Sequence, residues 1–130
     1  MQDSIKELIR LEVEAIQNIP INDSFESAVN MIKHNIHDLH YGGKVVLSGM
    51  GKCGQIALNI ATTLSSTGTP AVYLHPSEAQ HGDLGVLCEN DVLILLSNSG
   101  KTREIIELIT LSRILQPDVK VISITGKTDS

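Results

Sequence analysis

The chain has 130 residues, 42% of them hydrophobic, which is enough for one domain around a single core. A formal net charge of −5 and a content of two Tyr, one Phe and no Trp argue against nucleic acid as a partner, because basic and stacking surfaces are lacking. The longest uninterrupted aliphatic run is 92–96, and the N-terminus has no signal-peptide pattern, so we expect no membrane partner. Two cysteines without metal-ligand spacing fit a reducing compartment, so we expect a cytoplasmic protein.

Two amphipathic helices are expected in the first 40 residues. Apolar residues recur with a period of 3.6 over 5–16, and the same period returns over 25–39, after the break at Pro20. Three histidines occupy every third position of the second helix: His34, His37 and His40. We interpret them as part of a polar face, with a metal site as the alternative.

From Lys44 onward, short aliphatic runs alternate with helical segments. The runs predict strands at 45–47, 71–74, 92–96 and 119–124, and the segments between them predict helices at 53–64 and 104–115. Continuous Val, Ile and Leu runs are typical of strands covered on both faces, and connections of this length require parallel crossovers. The fold class predicted is therefore α/β, with a doubly wound parallel sheet preceded by two helices.

A glycine-rich loop follows the first predicted strand, at the edge of a parallel sheet where ligands bind. Residues 49–54 form a G-x-G-x-x-G pattern, whose glycines let backbone amides at a helix start approach a phosphate. A dinucleotide site is the first alternative, but it requires an acid at the end of the second strand, where Leu74, His75 and Pro76 stand instead. A tight strand-to-helix turn without a ligand is the second alternative.

A serine-rich loop, residues 97–102, follows the third predicted strand. Its hydroxyl and amide groups can donate to phosphate oxygens without formal positive charge, which suits an acidic protein. The Gly-Lys-Thr tripeptide within it is not a nucleotide P-loop, because Leu95 stands where that motif requires a glycine. A capped helix start without a ligand is the alternative.

Further titratable residues lie close to these loops in sequence. The loop 75–85 contains His75 and His81, which could shuttle protons or bind a metal, or simply be solvated. Glu104 opens the helix after the serine-rich loop, and a carboxylate beside a bound sugar is what proton abstraction next to a carbonyl requires. Lys52 lies within the glycine-rich loop. As alternatives to a catalytic role, Glu104 is an acid in the first turn that stabilises the helix dipole, and Lys52 is a solvated surface side chain.

Taken together, the loops closely resemble the sugar isomerase (SIS) domain of arabinose 5-phosphate isomerases. The similarity runs from about Lys44 to the end and rests on the loops 49–54, 66–70, 75–85 and 97–100. It implies one SIS domain over 1–130, with a helical pair in 1–40, a flavodoxin-like core in 44–130 and no CBS domains. The implied reaction interconverts D-arabinose 5-phosphate and D-ribulose 5-phosphate through a cis-enediol, and it supplies Kdo for lipopolysaccharide or capsule.

The resemblance also implies roles for individual residues. Lys52 and Glu104 would be catalytic, and Glu104 would be the base or acid. The implied substrate contacts are Gly51, Cys53, Gly68, Thr69, His75, His81, Ser97, Asn98, Ser99 and Thr102. The resemblance implies no required cofactor, and it makes His75 a candidate ligand for zinc. The implied partners are a pentose 5-phosphate and further copies of the chain, in a dimer or tetramer.

The chain departs from the family pattern at two positions and in length. Cys53 stands where a serine is common, and Lys101 replaces a frequent glutamate. Members of the family continue with another glutamate and a histidine that are thought to take part in catalysis. We therefore expect a chain truncated at its C-terminus, with part of the active site missing. A non-catalytic SIS module that binds a sugar phosphate for regulation is the alternative function.

Overall fold

A computed structural model of the protein describes residues 1–127, so the last three residues of the predicted core 44–130 lie outside the described residues. The N-terminal part is helical. It comprises α1 (Gln2–Gln17), α2 (Asp23–Ile32) and a π-helical turn (Lys33–Asp38). The second predicted helix thus changes geometry at Lys33. The π-helical turn buries two consecutive residues, Asn35 and Ile36, and the carbonyl of Asn35 accepts a hydrogen bond from the Gly43 N–H at 3.0 Å.

Four parallel strands follow, as the sequence predicts. The remaining elements are β1 (Val45–Gly49), α3 (Lys52–Ser66), β2 (Ala71–Tyr73), α4 (Pro76–Ala79), a 3-10 turn (Asp83–Val86), β3 (Val92–Ser97), α5 (Arg103–Leu115) and β4 (Lys120–Thr125). The strand order is β2-β1-β3-β4, with every neighbouring pair parallel. This order reverses direction between β1 and β3, so the doubly wound α/β prediction is confirmed.

Each face of the sheet has its own hydrophobic cluster, because successive residues of a strand point to opposite faces. On one face, Val45 and Leu47 pack with Ala57 and Ala61 of α3. On the other face, Val46 and its neighbours pack with helix α5 and with the segment 74–87. The two central strands β1 and β3 are buried along their whole length, which explains their continuous aliphatic runs over 45–47 and 92–96.

Helix α1 forms as the 3.6 period predicts, yet none of its residues is buried. Its apolar side chains are all about half exposed or more, as in Leu8 at 63% and Ile16 at 64%. Within residues 1–127, no helix is long and apolar enough to cross a membrane.

Candidate functional site

The carboxyl ends of β1 and β3 bring the glycine-rich and serine-rich loops side by side. Gly49, the last residue of β1, is the register partner of Leu96 in β3, so both loops leave the sheet at the same edge. Helix α3 then covers one face and helix α5 the other, because the strand order reverses here. Such a switch point opens a crevice between the first turns of two helices, where α/β proteins bind ligands.

The glycine-rich loop turns into α3 with an uncapped first turn. Gly51 has φ +57°, and a side chain at this position would meet open space rather than protein. No side chain among residues 1–127 caps the helix, so its first amides are available to an anion. Lys52 is the first residue of α3 and is exposed, whereas Cys53 is half-buried against the core.

The serine-rich loop is held by its own hydroxyl groups. Ser97, only 4% exposed, accepts a hydrogen bond from the Gly100 N–H at 3.0 Å and shares another with the Thr102 hydroxyl at 2.8 Å. Ser99 is exposed, and its hydroxyl oxygen accepts from the Lys101 N–H at 3.0 Å, which leaves its O–H to donate elsewhere. Asn98 is also exposed. Ser97 and Thr102 therefore shape the loop, and the exposed Ser99 hydroxyl is left to donate.

Glu104 lies in the first turn of α5, directly after the serine-rich loop. Its side chain is half-buried, and no side chain in the described part of the chain caps this helix. Glu104 and Lys52 thus lie in the first turns of the two helices on opposite sides of the switch point. The two residues predicted to be catalytic lie at the same edge of the sheet as the two loops.

The histidine-containing loop follows β2 and lies at this edge as well. His75 caps the short helix α4, since its Nδ1 accepts from the Ser77 N–H at 3.2 Å. The end of α4 is tied to α5, because Gln80 donates to Glu107 at 2.7 Å and Arg103 donates to the same carboxylate at 2.7 Å. The hydrogen bond from Arg103 and, to a smaller extent, the one from Gln80 hold the pKa of Glu107 below its usual value. His81 is exposed just beyond this contact.

Gly68 and Thr69 lie at the opposite edge of the sheet. They precede β2, and the carbonyl of the next residue, Pro70, accepts from the N–H of Val45 at the start of β1. At about 3.3 Å per residue, the five residues of β1 separate this edge from the crevice by about 13 Å. The Thr69 hydroxyl is 3.0 Å from His37 Nε2 in the π-helical turn. The fold of one chain therefore does not bring Gly68 and Thr69 to the other predicted site residues.

A zinc site does not assemble from the residues that the structure describes. No group of three or more His, Cys, Asp or Glu side chains in residues 1–127 could hold a metal ion. His75 offers only Nε2, because Nδ1 already accepts from Ser77. His34, His37 and His40 are exposed, and within the described residues they form no such group either.

A cavity of about 700 Å³ lies beside the crevice rather than in it. It touches the serine-rich loop at Ser97 and Gly100, but its other walls come from β3, α5, β4 with the two residues after it, and the link between α1 and α2. Ile105, Ile106 and Ile109 contribute to its largely apolar lining. An apolar wall suits a sugar phosphate poorly, so we assign the site to the switch-point crevice.

Two contacts at this edge were not predicted from the sequence. Tyr73 donates from its hydroxyl to the Gly49 carbonyl at 2.9 Å, and Gln80 pairs with Glu107. Tyr73 belongs to an apolar strand run, and Gln80 is 27 positions from its partner. Neither contact has a local sequence signal, because both depend on which strands become neighbours.

Comparison with known families agrees with this geometry. The SIS domain family matches residues 38–130, which is most of the chain. The chain belongs to the SIS domain family.

Proteins similar to this chain are named as sugar-phosphate isomerases. The chain is 42% identical, over 95% of its length, to arabinose 5-phosphate isomerase KdsD of Francisella tularensis subsp. tularensis. It spans 37% of the length of that relative. Among solved structures, a Bacteroides fragilis protein proposed to be a phosphosugar isomerase involved in capsule formation is 60% identical, with a TM-score of 0.96 over 100% of this chain and 67% of that one. An Escherichia coli CFT073 protein in complex with arabinose 5-phosphate is 35% identical, with a TM-score of 0.83 over 98% of this chain and 65% of that one.

Proposed function

We propose that this chain is the sugar-phosphate-binding domain of an arabinose 5-phosphate isomerase, which interconverts D-arabinose 5-phosphate and D-ribulose 5-phosphate. The observation that carries the proposal is the switch-point crevice, where the serine-rich loop and the predicted catalytic residues Lys52 and Glu104 meet at one edge of the sheet. The names of the relatives and the arabinose 5-phosphate complex of the E. coli protein favour an enzyme over a regulatory module.

We propose that the phosphate binds at the serine-rich loop. The Ser99 hydroxyl and the uncapped amides of the first turn of α5 donate to its oxygens, and the helix dipole favours the negative charge. Ser97 and Thr102 hold the loop in the conformation that presents these donors. The sugar then extends toward the first turn of α3, along Gly51 and Cys53, with Asn98, His75 and His81 at the rim.

The reaction needs only proton transfers. With the sugar in its open-chain form, Glu104 removes the C2 proton, and the C1 carbonyl oxygen gains a proton to give the cis-enediol. Return of a proton to C1 and loss of the O2 proton then give the ketose, so no atom is gained or lost. The Lys52 ammonium stabilises the negative charge that develops on oxygen. We propose that no cofactor is required, and zinc at His75 would need ligands from outside residues 1–127.

A homo-oligomer, dimer or tetramer, is part of the proposal. The proposal is supported by the exposed apolar face of α1 and by the exposed side chains of Phe25 and Val29 in α2. Contact between such apolar surface and water is unfavourable, so a second copy of the chain would cover it. Because Gly68 and Thr69 lie at the opposite edge, they can contact substrate only in the crevice of a neighbouring copy. Their predicted role therefore depends on the oligomer.

The cellular role follows from the same proposal. Both cysteines are free, which fits the cytoplasm. The interconversion of D-arabinose 5-phosphate and D-ribulose 5-phosphate would supply Kdo for lipopolysaccharide or capsule, and the description of the similar B. fragilis protein as involved in capsule formation favours such a pathway.

The substitution Glu104→Gln tests the chemistry against simple binding. Removing the base from an enzyme should lower kcat by about a hundredfold or more, since general base catalysis contributes about 10²–10⁴. The Kd for D-arabinose 5-phosphate should change little, because the phosphate contacts remain. We would measure kcat from the conversion of D-arabinose 5-phosphate and Kd by titration calorimetry in the full-length protein.

Glu89→Gln is the matched control. It removes the same charge from an exposed glutamate that precedes β3, at the opposite edge of the sheet, and it should leave both kcat and Kd unchanged. Unchanged turnover in the Glu104 variant would remove Glu104 from the mechanism. Tight binding with no turnover in the unsubstituted protein would favour a regulatory sugar-phosphate module instead.

A further inference from the structure

Tyr73 lies where the hydrogen-bonded ladder between β1 and β2 ends. On this side of β1, the Leu47 carbonyl accepts from the Leu74 N–H at 2.8 Å. The next carbonyl that faces β2 is that of Gly49, and in a parallel ladder its donor would come from position 76. Pro76 has no N–H, so the ladder cannot continue. The Tyr73 hydroxyl takes this place and donates to the Gly49 carbonyl at 2.9 Å.

The same hydroxyl is in tight contact with the first turn of α3. A Cβ atom built on Gly54 would lie 2.5 Å from the Gly49 carbonyl oxygen and 2.7 Å from the Tyr73 hydroxyl oxygen. The helix therefore rests directly on this hydrogen bond, two residues after Lys52. Moving the Gly49 carbonyl moves the surface against which the Lys52 turn packs.

Tyr73 also borders the histidine-containing loop. Its ring stands at 90° to that of His75, with the centroids 6.4 Å apart, an edge-to-face arrangement. Burial raises the pKa of Tyr73, so the hydroxyl keeps its proton and remains a donor at neutral pH. One half-buried side chain thus contacts both the glycine-rich loop and His75.

We propose that Tyr73 is a positioning residue for the sugar-phosphate site, whose hydroxyl fixes the end of β1 and with it the turn that carries Lys52. The expected effect of the Tyr73 hydroxyl on turnover rests on the proposed function. Its effect on the conformation of the glycine-rich loop does not depend on any activity. Because the serine-rich loop is untouched, the hydroxyl acts on kcat rather than on phosphate affinity.

The test is Tyr73→Phe, which removes the hydroxyl and keeps the ring against His75. The other tyrosine supplies a matched control: Tyr41 is 82% exposed and precedes β1, at the opposite edge, so Tyr41→Phe removes the same group there. In the full-length protein we expect Tyr73→Phe to lower kcat about fivefold, with KM changed by less than about twofold, since the loss of one hydrogen bond to a catalytic loop is of this order. Tyr41→Phe should change neither constant.

Amide hydrogen exchange gives the second measurement and needs no substrate. The amides of Gly54 and Gln55, which donate to Met50 and Gly51, should exchange at least about threefold faster in Tyr73→Phe and at the original rate in Tyr41→Phe. Unchanged exchange in Tyr73→Phe would overturn the proposal, whatever the activity. Faster exchange with an inactive parent protein would contradict the proposed function and leave the role of Tyr73 in the loop supported. Faster exchange with unchanged kcat would overturn the catalytic effect.

Discussion

Asp91 shows how a single residue fixes the edge of the sheet opposite to the site. Its carboxylate, only 1% exposed, accepts hydrogen bonds from the backbone N–H groups of Lys44 and Cys88, each at 2.8 Å. The Lys44 ammonium pairs with it at 2.6 Å. Lys44 and Asp91 directly precede β1 and β3, so these contacts set the two central strands side by side at their start.

Asp91→Asn should therefore lower the free energy of unfolding by about 2–3 kcal/mol, because it removes a buried charge partner and one backbone acceptor. Asp38→Asn is the matched control, since its ion pair with Lys33 is 3.2 Å long and exposed, and it should cost less than about 0.5 kcal/mol. Urea unfolding of both variants measures the difference. Equal effects would show that the Asp91 contacts contribute no more than a surface pair.

Individual site residues were predictable only where a loop carries a local pattern. Lys52, Ser97, Ser99 and Glu104 lie at the carboxyl end of an apolar strand run or within a few residues after it, so their place at one edge follows from the fold class. Gly68 and Thr69 were placed with them by family resemblance, yet they precede a strand and lie at the other edge. Tyr73 could not be found, because the acceptor of its hydrogen bond, the Gly49 carbonyl, lies 24 positions away on the neighbouring strand β1.

At the scale of elements, the junction between β1 and α3 determines the shape of the crevice. Gly54 lies in the first turn of α3, where alanine would favour the helix by about 1 kcal/mol. The contacts of 2.5 and 2.7 Å that its Cβ would make involve the Gly49 backbone oxygen and the Tyr73 hydroxyl, and the backbone cannot move aside without shifting the loop. The steric cost should therefore outweigh the helix preference.

We expect Gly54→Ala to destabilise the protein by about 2 kcal/mol in thermal or urea unfolding. Gly85→Ala serves as the control, because a Cβ there meets nothing within 4 Å, and it should stay within about 0.5 kcal/mol of the parent protein. A stable Gly54→Ala protein would mean that the junction tolerates movement and that the crevice is less rigid than the contacts indicate.

The strands were predicted to within one or two residues, because β1 and β3 are buried on both faces and carry continuous aliphatic runs over 45–47 and 92–96. The helix after Phe25 was only partly right: periodicity does not distinguish an α-helix from the π-helical turn at Lys33–Asp38. Helix α4 and the 3-10 turn were missed, since each has four residues and is too short for a period to show.

For the whole molecule, the sequence predicted the doubly wound architecture but not how its outer surfaces are used. The periodicity over 5–16 predicted an amphipathic helix with one apolar face, yet no residue of α1 is buried by the rest of residues 1–127. A hydrophobic pattern reports that a face avoids water, and it does not say whether the same chain or another copy covers it.

The central claim is that the switch-point crevice performs proton transfer on a sugar phosphate. Its most direct test is the conversion of D-arabinose 5-phosphate by the full-length protein in deuterated buffer, followed by proton NMR. We expect D-ribulose 5-phosphate carrying deuterium at C1, because the base exchanges its proton with solvent before returning it. The absence of conversion, or a product without deuterium at C1, would contradict the account.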